Sequence, residues 1–539
     1  MAAIVYQTSK QTGITYAYES QSYWDKEKRQ SRARRKCIGR VDPETKEIIP
    51  TRKRGAAGDP GNHDKVHKRG PVPIENVSRS FYGATYLFDA IGENLGITAD
   101  LKKCFPDTYQ QILSMAYYLI MEDKNPLSRF PKWAATHRHP YGKSIPSQRS
   151  SELFASISED ARGRFFRLQG NRRIEKEYWA YDTTSISSYS RCLKQVRYGM
   201  NKDHEPFPQI NLALLFGEES NLPFYYRKLA GNIPDVKTVK NLLADMDFFG
   251  YDKIKLVMDR GFYSEANIND LYHHHLKFLI AAKKSLKFVK AELDNVRDSI
   301  RTWTNYHQKH DLYAVTAKID WDYFRERPYK GDILKEKRRM YLHIYFNSER
   351  ALEDEKNFNA LLCRLQGELE NGTTVPEHDR LYAKYFDVTT TPVRGTKVTA
   401  REDAIAEARK NYGFFVLLSN EVKEAMAALE IYRNKDLVEK AFGNLKERLN
   451  FNRTAVSSDQ SLDGKLFVEF IALIYLSYLK KKMQDANLFK KYTMHELLDE
   501  LDIIECFEYP GYKRRIGEVT KKQIELYEAL AIAPPTSLH

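Results

Sequence analysis

Tyr178-Trp179-Ala180-Tyr181-Asp182 is an apolar run that closes on a carboxylate, and it reads as a short strand. Ile210-Asn211-Leu212-Ala213-Leu214-Leu215-Phe216 and Leu222-Pro223-Phe224-Tyr225-Tyr226 follow as two more strands. Pro234-Asp235 then opens a helix predicted from Val236 to Phe249. The run Ile254-Lys255-Leu256-Val257-Met258-Asp259 is a further strand, leading to a helix over Ser264–His274 and a strand over Phe278–Ala282.

Three strands followed by alternating helix and strand is the order of an RNase H-like mixed sheet, so the fold class is α/β. Gly413–Ser419 is one more buried strand, and helical sequence runs from Val422 to Leu449. Residues 286–404 interrupt this plan with charged, aromatic-rich sequence. It contains a strand-like piece at Met340–Phe346 and a helix at about Glu355–Leu369, the pattern of a β-rich insertion. The catalytic domain is therefore expected in two parts, 171–285 and 405–485, around an insertion domain at 286–404.

Upstream, residues 76–170 are helical in pattern, at Tyr86–Ile91, Tyr109–Met121 and Ser151–Leu168, and suit a helical DNA-binding domain. Residues 1–75 read as a basic β-hairpin module and linker. Ile14–Tyr18 is strand-like, Asp42–Lys46 is a turn between Ile38 and Ile48-Ile49, and the aperiodic stretch Arg52–Pro73 is the linker. Residues 486–539 form a helical C-terminal region. No internal repeat is visible.

The chain has 539 residues, too many for one ordinary core, and a 42% hydrophobic fraction that suits several. Its 86 Lys and Arg against 72 Asp and Glu give a net charge of +14. Half of that surplus, 16 basic against nine acidic residues, falls within residues 1–75, in runs such as Arg32-Ala33-Arg34-Arg35-Lys36 and Arg52-Lys53-Arg54. Such a surplus favours a polyanionic partner, because each neutralised phosphate releases condensed counterions. Charge alone does not separate DNA from RNA or an acidic membrane.

The five cysteines are scattered and include no CxxC pair, which indicates neither a zinc site nor a disulfide framework. The N-terminus lacks a signal-peptide pattern. The most apolar run, Leu466–Leu479, spans 14 residues and contains Glu469, so it reads as a buried helix and not a membrane span. A cytoplasmic protein is expected.

Asp182 and Asp259 each end an apolar strand and precede small or turn-forming residues, Thr183-Thr184-Ser185 and Arg260-Gly261. Carboxylates at strand ends of an open sheet project into the crevice where ligands bind. A lone aspartate there is usually a cap; two in one sheet point towards chemistry. Further on, Tyr432, Lys435, Glu439 and Lys446 are spaced 3, 4 and 7 apart. They fall within roughly 60° of one another on a helix. Ile431, Val438, Phe442, Leu445 and Leu449 form the adjacent apolar stripe. That polar edge could look into a cleft or carry ordinary i,i+4 ion pairs.

Tyr432-Arg433-Asn434-Lys435-Asp436-Leu437-Val438-Glu439, with Lys446 seven residues on, resembles the Y-(2)-R-(3)-E-(6)-K signature of DDE transposases of bacterial insertion-sequence family four. Asp182-Thr183-Thr184 resembles that family's first catalytic block and Asp259-Arg260-Gly261-Phe262-Tyr263 its second. The gaps, 77 and 180 residues, are similar as well, and Gly464-Lys465-Leu466-Phe467-Val468-Glu469-Phe470-Ile471-Ala472 is similar to the helix that follows the family's catalytic glutamate. The likeness covers roughly residues 1–530. One departure stands out: the signature arginine is Lys435, which meets a phosphate as a point charge without the bidentate fork.

The resemblance implies that Asp182, Asp259 and Glu439 are catalytic and hold two Mg²⁺ ions, for which Mn²⁺ substitutes. Asp182 would bridge both ions, and Asp259 and Glu439 would each complete one. Hard oxygen ligands suit that chemistry, and histidine and cysteine are not needed. Tyr432, Lys435 and Lys446 would hold phosphates near the cut, with Arg260 and Arg433 as further phosphate-binding candidates.

The family likeness also implies double-stranded DNA partners (terminal inverted repeats and target), a homodimer in the synaptic complex, and cut-and-paste transposition through hairpin ends. Trp303 and Trp321, in the insertion, are candidates to stack a flipped base. The histidine clusters His273-His274-His275 and His137-Arg138-His139 have no carboxylate or cysteine ligands nearby in sequence and read as polar positions, not a metal site. Two alternatives stay open: a metal-dependent nuclease without strand transfer, and a non-catalytic DNA-binding descendant of a transposase. A phosphatase with an aspartate nucleophile lacks the second aspartate two residues after Asp182.

Overall fold

The computed structural model describes residues 3–536 except 11, 27, 51–76, 124, 173–176, 191, 252–253, 327–330, 392–394, 450, 452, 457 and 510–512. The expected linker Arg52–Pro73, with Arg52-Lys53-Arg54, lies wholly in the undescribed stretch 51–76, outside the described residues. The chain divides into two compact units, residues 1–72 with 510–513, and residues 73–509 with 514–539.

The first unit is an antiparallel sheet of β1 (Ala3–Thr8), β2 (Thr15–Asp25), β3 (Gln30–Val41) and β4 (Ile48–Ile49), in that spatial order. The turn expected at Asp42–Lys46 is present: Asp42 Oδ1 accepts the backbone N–H of Glu44 at 2.9 Å and of Thr45 at 3.3 Å, the local bonding that makes aspartate a turn former. The basic run Arg32–Lys36 lies inside β3.

The second unit opens with β5 (Ser78–Phe81) and a helical layer: α1 (Gly83–Asn94), α2 (Ile97–Cys104), α3 (Tyr109–Met121), α4 (Phe130–Ala134), α5 (Ser147–Ser156) and α6 (Glu159–Asn171). The pattern read as one helix from Ser151 to Leu168 is two helices. Ser158 sits in extended backbone and its hydroxyl accepts the Ala161 N–H, so it caps α6 and ends the continuity.

The order that decided the fold class then appears as β6 (Tyr178–Ser187), β7 (Gln209–Gly217), β8 (Pro223–Ala230), α7 (Asp235–Phe249), β9 (Lys255–Met258), α8 (Glu265–His273) and β10 (Lys277–Ala282). Beyond α9 (Lys287–Val296) come β11 (Tyr306–His307) and the long hairpin β12 (Leu312–Glu326) and β13 (Ile333–Phe346). A small helical subcluster follows, α10 (Ser348–Glu370), α11 (Asp379–Tyr385), the hairpin β14 (Phe386–Thr391) and β15 (Gly395–Ala400), and α12 (Glu402–Arg409). It has its own core around Leu365, Tyr385 and Ile405.

β16 (Phe414–Ser419) returns to the main sheet, whose order among the described residues is β11-β12-β13-β16-β10-β9-β6-β7-β8. β6, β9 and β10 run parallel to one another and the remaining neighbours are antiparallel. The molecule is thus a mixed α/β protein built on one large mixed sheet. Strands of segment 286–404 extend that sheet through β13, which pairs with β16 from Tyr341↔Ser419 to Phe346↔Phe414. β7 is buried along its whole length, as befits a strand covered on both faces.

The chain ends with α13 (Ala425–Asn434), α14 (Asp436–Gly443), α15 (Asp459–Asp485), α16 (Met494–Asp502), β17 (Glu505–Glu508), β18 (Arg515–Ile516) and α17 (Lys521–Ala529). The run Leu466–Leu479 lies within α15 and is buried on nearly every side. Gly464 lets α15 approach α5 closely: a Cβ there would stand 1.9 Å from the Phe154 carbonyl oxygen. No helix among the described residues is long and apolar enough to cross a membrane.

Candidate active site

β6 and β9 are paired parallel up to Tyr181↔Met258, so Asp182 and Asp259 follow at neighbouring positions of adjacent strands. Asp259 sits just past the end of its strand, where its Oδ1 accepts the Arg260 N–H at 2.7 Å and caps a single 3₁₀ turn over Arg260–Phe262. Asp182 is not at a strand end, contrary to the sequence expectation. β6 continues five residues to Ser187, with Thr183, Thr184 and Ser185 paired to Ala213, Leu212 and Asn211 of β7. The hydroxyl residues that looked like turn formers extend the strand because their side chains find partners inside the fold; Thr183 Oγ1 bonds Asp235 Oδ1 at 2.5 Å.

The third carboxylate comes from the helical segment. α13 and α14 meet at Lys435, and Val438, Ala441 and Phe442 anchor α14 to the core. Glu439, on its exposed side, lines a cavity of about 1000 Å³ together with Asp182, Asp259, Lys202, Asp235 and Lys446. The three acids, 257 residues apart from first to last, therefore face one space.

Two side chains of the same helical segment tie these acids together. Tyr432 donates its hydroxyl proton to Asp259 Oδ1 at 2.8 Å. Lys435 is only 4% exposed, and its Nζ lies 3.1 Å from Glu439 Oε1. Burial works against the Lys435 charge, yet the fields of Asp182, Asp259 and Glu439 hold its pKa above the usual lysine value. Asp182 shows the reverse balance: burial lifts its carboxyl above the ordinary range, against the pull of Lys202, the Thr183 N–H and Lys435. The buried Lys435 thus gives the partly exposed trio a fixed counter-charge.

Lys202 and Asp235 belong to this site and were not legible in the sequence. Lys202 Nζ donates to the Thr183 carbonyl and hydroxyl oxygens at 2.7 Å each, and lies 3.1 Å from Asp235 Oδ2 and 3.6 Å from Asp182 Oδ1. Asp235 showed only as a helix opener after Pro234, and Lys202 lies in a loop without periodicity. Lys446, on the expected polar edge, bonds both oxygens of another loop residue, Asp203, at 2.6 and 2.8 Å.

The other candidates separate. Arg260 is exposed beside Asp259. Arg433 is not in the cavity wall; its Nη1 meets His310 Nδ1 at 2.7 Å. Trp303 is 81% exposed and stacks on Tyr306 with ring centroids 5.5 Å apart. Trp321 is 8% exposed and its Nε1 donates to Asn269 Oδ1 at 2.9 Å, so it is a core residue with no ring face to offer a base. The histidine clusters are polar partners: His137 Nε2 meets Asp502 at 2.9 Å and His139 Nδ1 meets Ser114 at 2.9 Å.

Among the described residues, no three His, Cys, Asp or Glu side chains are drawn together tightly enough to enclose a metal ion. The donor chemistry nonetheless fits a hard divalent cation, since Asp182, Asp259 and Glu439 line one cavity together with four further Asp and Glu side chains, and the buried Lys435 ammonium beside them is held charged by their fields.

Residues 174–475 match the family described as Transposase DDE domain, a span that contains all three acids. The chain belongs to that family. No protein of curated function matches it. Among solved structures, the cryo-EM structure of a piggyBac transposase synaptic complex with hairpin DNA is similar over 77% of this chain and 70% of that chain, with 10% sequence identity and a TM-score of 0.32. Within the matched span Asp182 lies on the central sheet, Asp259 directly follows the end of β9, and Glu439 lies on α14, 180 positions further along the chain.

Proposed function

We propose that this DDE-family protein is a DNA transposase whose catalytic residues are Asp182, Asp259 and Glu439. The observation that carries the reading is their convergence on one cavity with Lys435 buried beside them. The strand order β8-β7-β6-β9-β10 supports an RNase H-like catalytic core, and the Tyr432, Lys435, Glu439 and Lys446 spacing supports a place in insertion-sequence family four.

The three carboxylates would hold two divalent ions, Mg²⁺ by preference with Mn²⁺ as a substitute. When bound, such a pair lowers the pKa of an attacking water and stabilises the leaving phosphate oxygen. Tyr432 fixes the Asp259 carboxylate through its hydroxyl, and Lys202 holds the Asp182 side of the cavity. In this reading Lys446, in the cavity wall, and Lys435, beneath it, would exchange carboxylate partners for DNA phosphates, trading one charge-assisted bond for another. Arg260 sits on the exposed rim where a phosphate would approach.

Double-stranded DNA is the substrate in this reading: inverted-repeat ends are cut, closed as hairpins, reopened and joined to target DNA, with two copies of the chain pairing the ends. Trp303, the exposed member of the tryptophan pair, is the candidate to stack an extruded base. The test is incubation with Mg²⁺ and duplexes carrying the inverted repeats that flank its gene. Recovery of these ends joined to a target plasmid supports transposition. Cutting without joining would favour a nuclease, and binding without cutting a non-catalytic descendant.

A further inference from the structure

β2 and β3 outrun their neighbours. β1 pairs with β2 only from Thr15 to Ser20, and β4 pairs with β3 only at Arg40 and Val41. Residues 21–25 and 30–34 therefore pair with each other alone, from Gln21↔Arg34 to Asp25↔Gln30. Every residue of β3 from Gln30 to Cys37 is exposed, and so are Gln21, Ser22, Tyr23 and Trp24 of β2, the last 63% exposed. A two-stranded ribbon with two wet faces is marginal in water by its own hydrogen bonds. It has no apolar face to explain its length.

Its composition gives a reason. Residues 26–36 contain seven Lys and Arg and one acidic residue. The register distributes the arginines over both faces: Arg32 and Arg34 stand opposite Tyr23 and Gln21, and Arg35 stands opposite Ser20 on the other face. At about 3.4 Å per residue the seven positions from Gln30 to Lys36 span roughly 20 Å, the rise of about six base pairs. The major groove of B-form DNA is about 12 Å wide and admits a two-stranded ribbon, with phosphates lining both rims.

We infer that the β2–β3 ribbon is a DNA-docking arm, which enters the major groove of duplex DNA and sets Arg32, Arg34, Arg35 and Lys36 against the phosphates. The choice of duplex DNA among polyanions rests on the transposase reading; the charge, the two exposed faces and the overhanging register do not. Arginines on both faces suit a groove with a phosphate wall on each side better than a flat anionic surface, which one face would satisfy.

The test uses the full-length chain and a 40-base-pair duplex of random sequence, with affinity measured across a series of salt concentrations. R32Q/R34Q/R35Q should lower affinity at 50 mM salt at least tenfold and flatten the slope of log K against log salt by about 2–3, close to 0.9 per lost phosphate contact. R32K/R34K/R35K, which keeps the charges, should retain most of that slope. Methyl green, a major-groove ligand, should compete with the wild type where netropsin, a minor-groove ligand, does not. Unchanged affinity and slope in the glutamine variant, with unfolding temperature matching the wild type, would overturn the arm. So would tighter binding of the wild type to single-stranded RNA or to anionic vesicles than to the duplex. D259A should still show the full effect of the arginine changes, so a failure of the catalytic assignment leaves this outcome readable.

Discussion

The ammonium of Lys435 lies 3.1 Å from Oε1 of Glu439, four residues on, and its charge is held by Asp182 and Asp259 as well. Lys435 therefore acts as the internal counter-ion of the whole trio. In Lys435→Met the three acids lose that partner. The metal-free protein should unfold at lower temperature, by the equivalent of about 1–3 kcal/mol for a lost charge-assisted bond. Millimolar Mg²⁺ should then raise the unfolding temperature more than in the wild type, because a cation replaces the missing charge. Lys435→Arg should behave like the wild type. An equal Mg²⁺ shift in wild type and Lys435→Met would remove the counter-ion role.

Two buried imidazoles set an acid limit. His343 donates Nε2–H to the Val422 carbonyl and accepts from Thr316 at Nδ1, and burial holds it neutral with a pKa near 4; His139 is likewise pushed to about 4 by burial. The unfolded chain takes up these protons at about pH 6.5. Between pH 6.5 and 4 the unfolded state thus binds more protons, and stability falls as pH falls, by up to about 3 kcal/mol per histidine. His343→Gln should flatten the decline of unfolding temperature over that window. A slope identical to the wild type's would contradict the assignment.

Gly464 sits where α15 passes close against α5. The Cβ of Gly464→Ala would stand 1.9 Å from the Phe154 carbonyl oxygen, a backbone atom that cannot rotate away. Overpacking of this kind costs about 1–3 kcal/mol, and denaturant unfolding should show it as a lower midpoint with an unchanged slope.

The two tryptophans of segment 286–404 should behave oppositely. Trp321→Ala removes a buried ring and should destabilise the protein by about 3–5 kcal/mol. Trp303→Ala, on an exposed ring, should change stability by less than about 0.5 kcal/mol. If Trp303 stacks an extruded base, its alanine variant should slow hairpin formation while leaving the first nick unaffected.

The alternating order from Tyr178 to Ala282 was legible because each strand is a short apolar run and each helix carries an opener and a 3.6-residue period. Except at the far ends of β6 and β8, which run five and four residues further, the observed ends lie within one residue of the expected ones. Asp259 was legible as a strand-end acid for the same reason. Asp182 was misplaced because Thr183-Thr184-Ser185 are turn formers by composition, and only the pairing with β7 and the bond to Asp235 make them strand.

Lys202 and Asp203 gave no signal, since a loop residue's neighbours across space leave no periodic trace in the chain. Trp303 and Trp321 could not be told apart by residue type; burial separates them, and burial at β12 depends on packing against α8 and α9. Of the basic ribbon only the charge run Arg32–Lys36 was visible in the sequence; its pairing as β2–β3 and its overhang follow from register alone.

The most direct test of the shared site is the rate of Mg²⁺-dependent nicking of inverted-repeat DNA by Asp182→Asn, Asp259→Asn and Glu439→Gln, singly and in pairs, with DNA binding measured alongside. Groups that act as a unit lose function together. Each single variant is expected to fall by at least about a thousandfold, with binding retained and no further loss in the pairs. Any one variant that binds DNA and still nicks within about tenfold of the wild type would contradict the claim that these three acids form the catalytic centre.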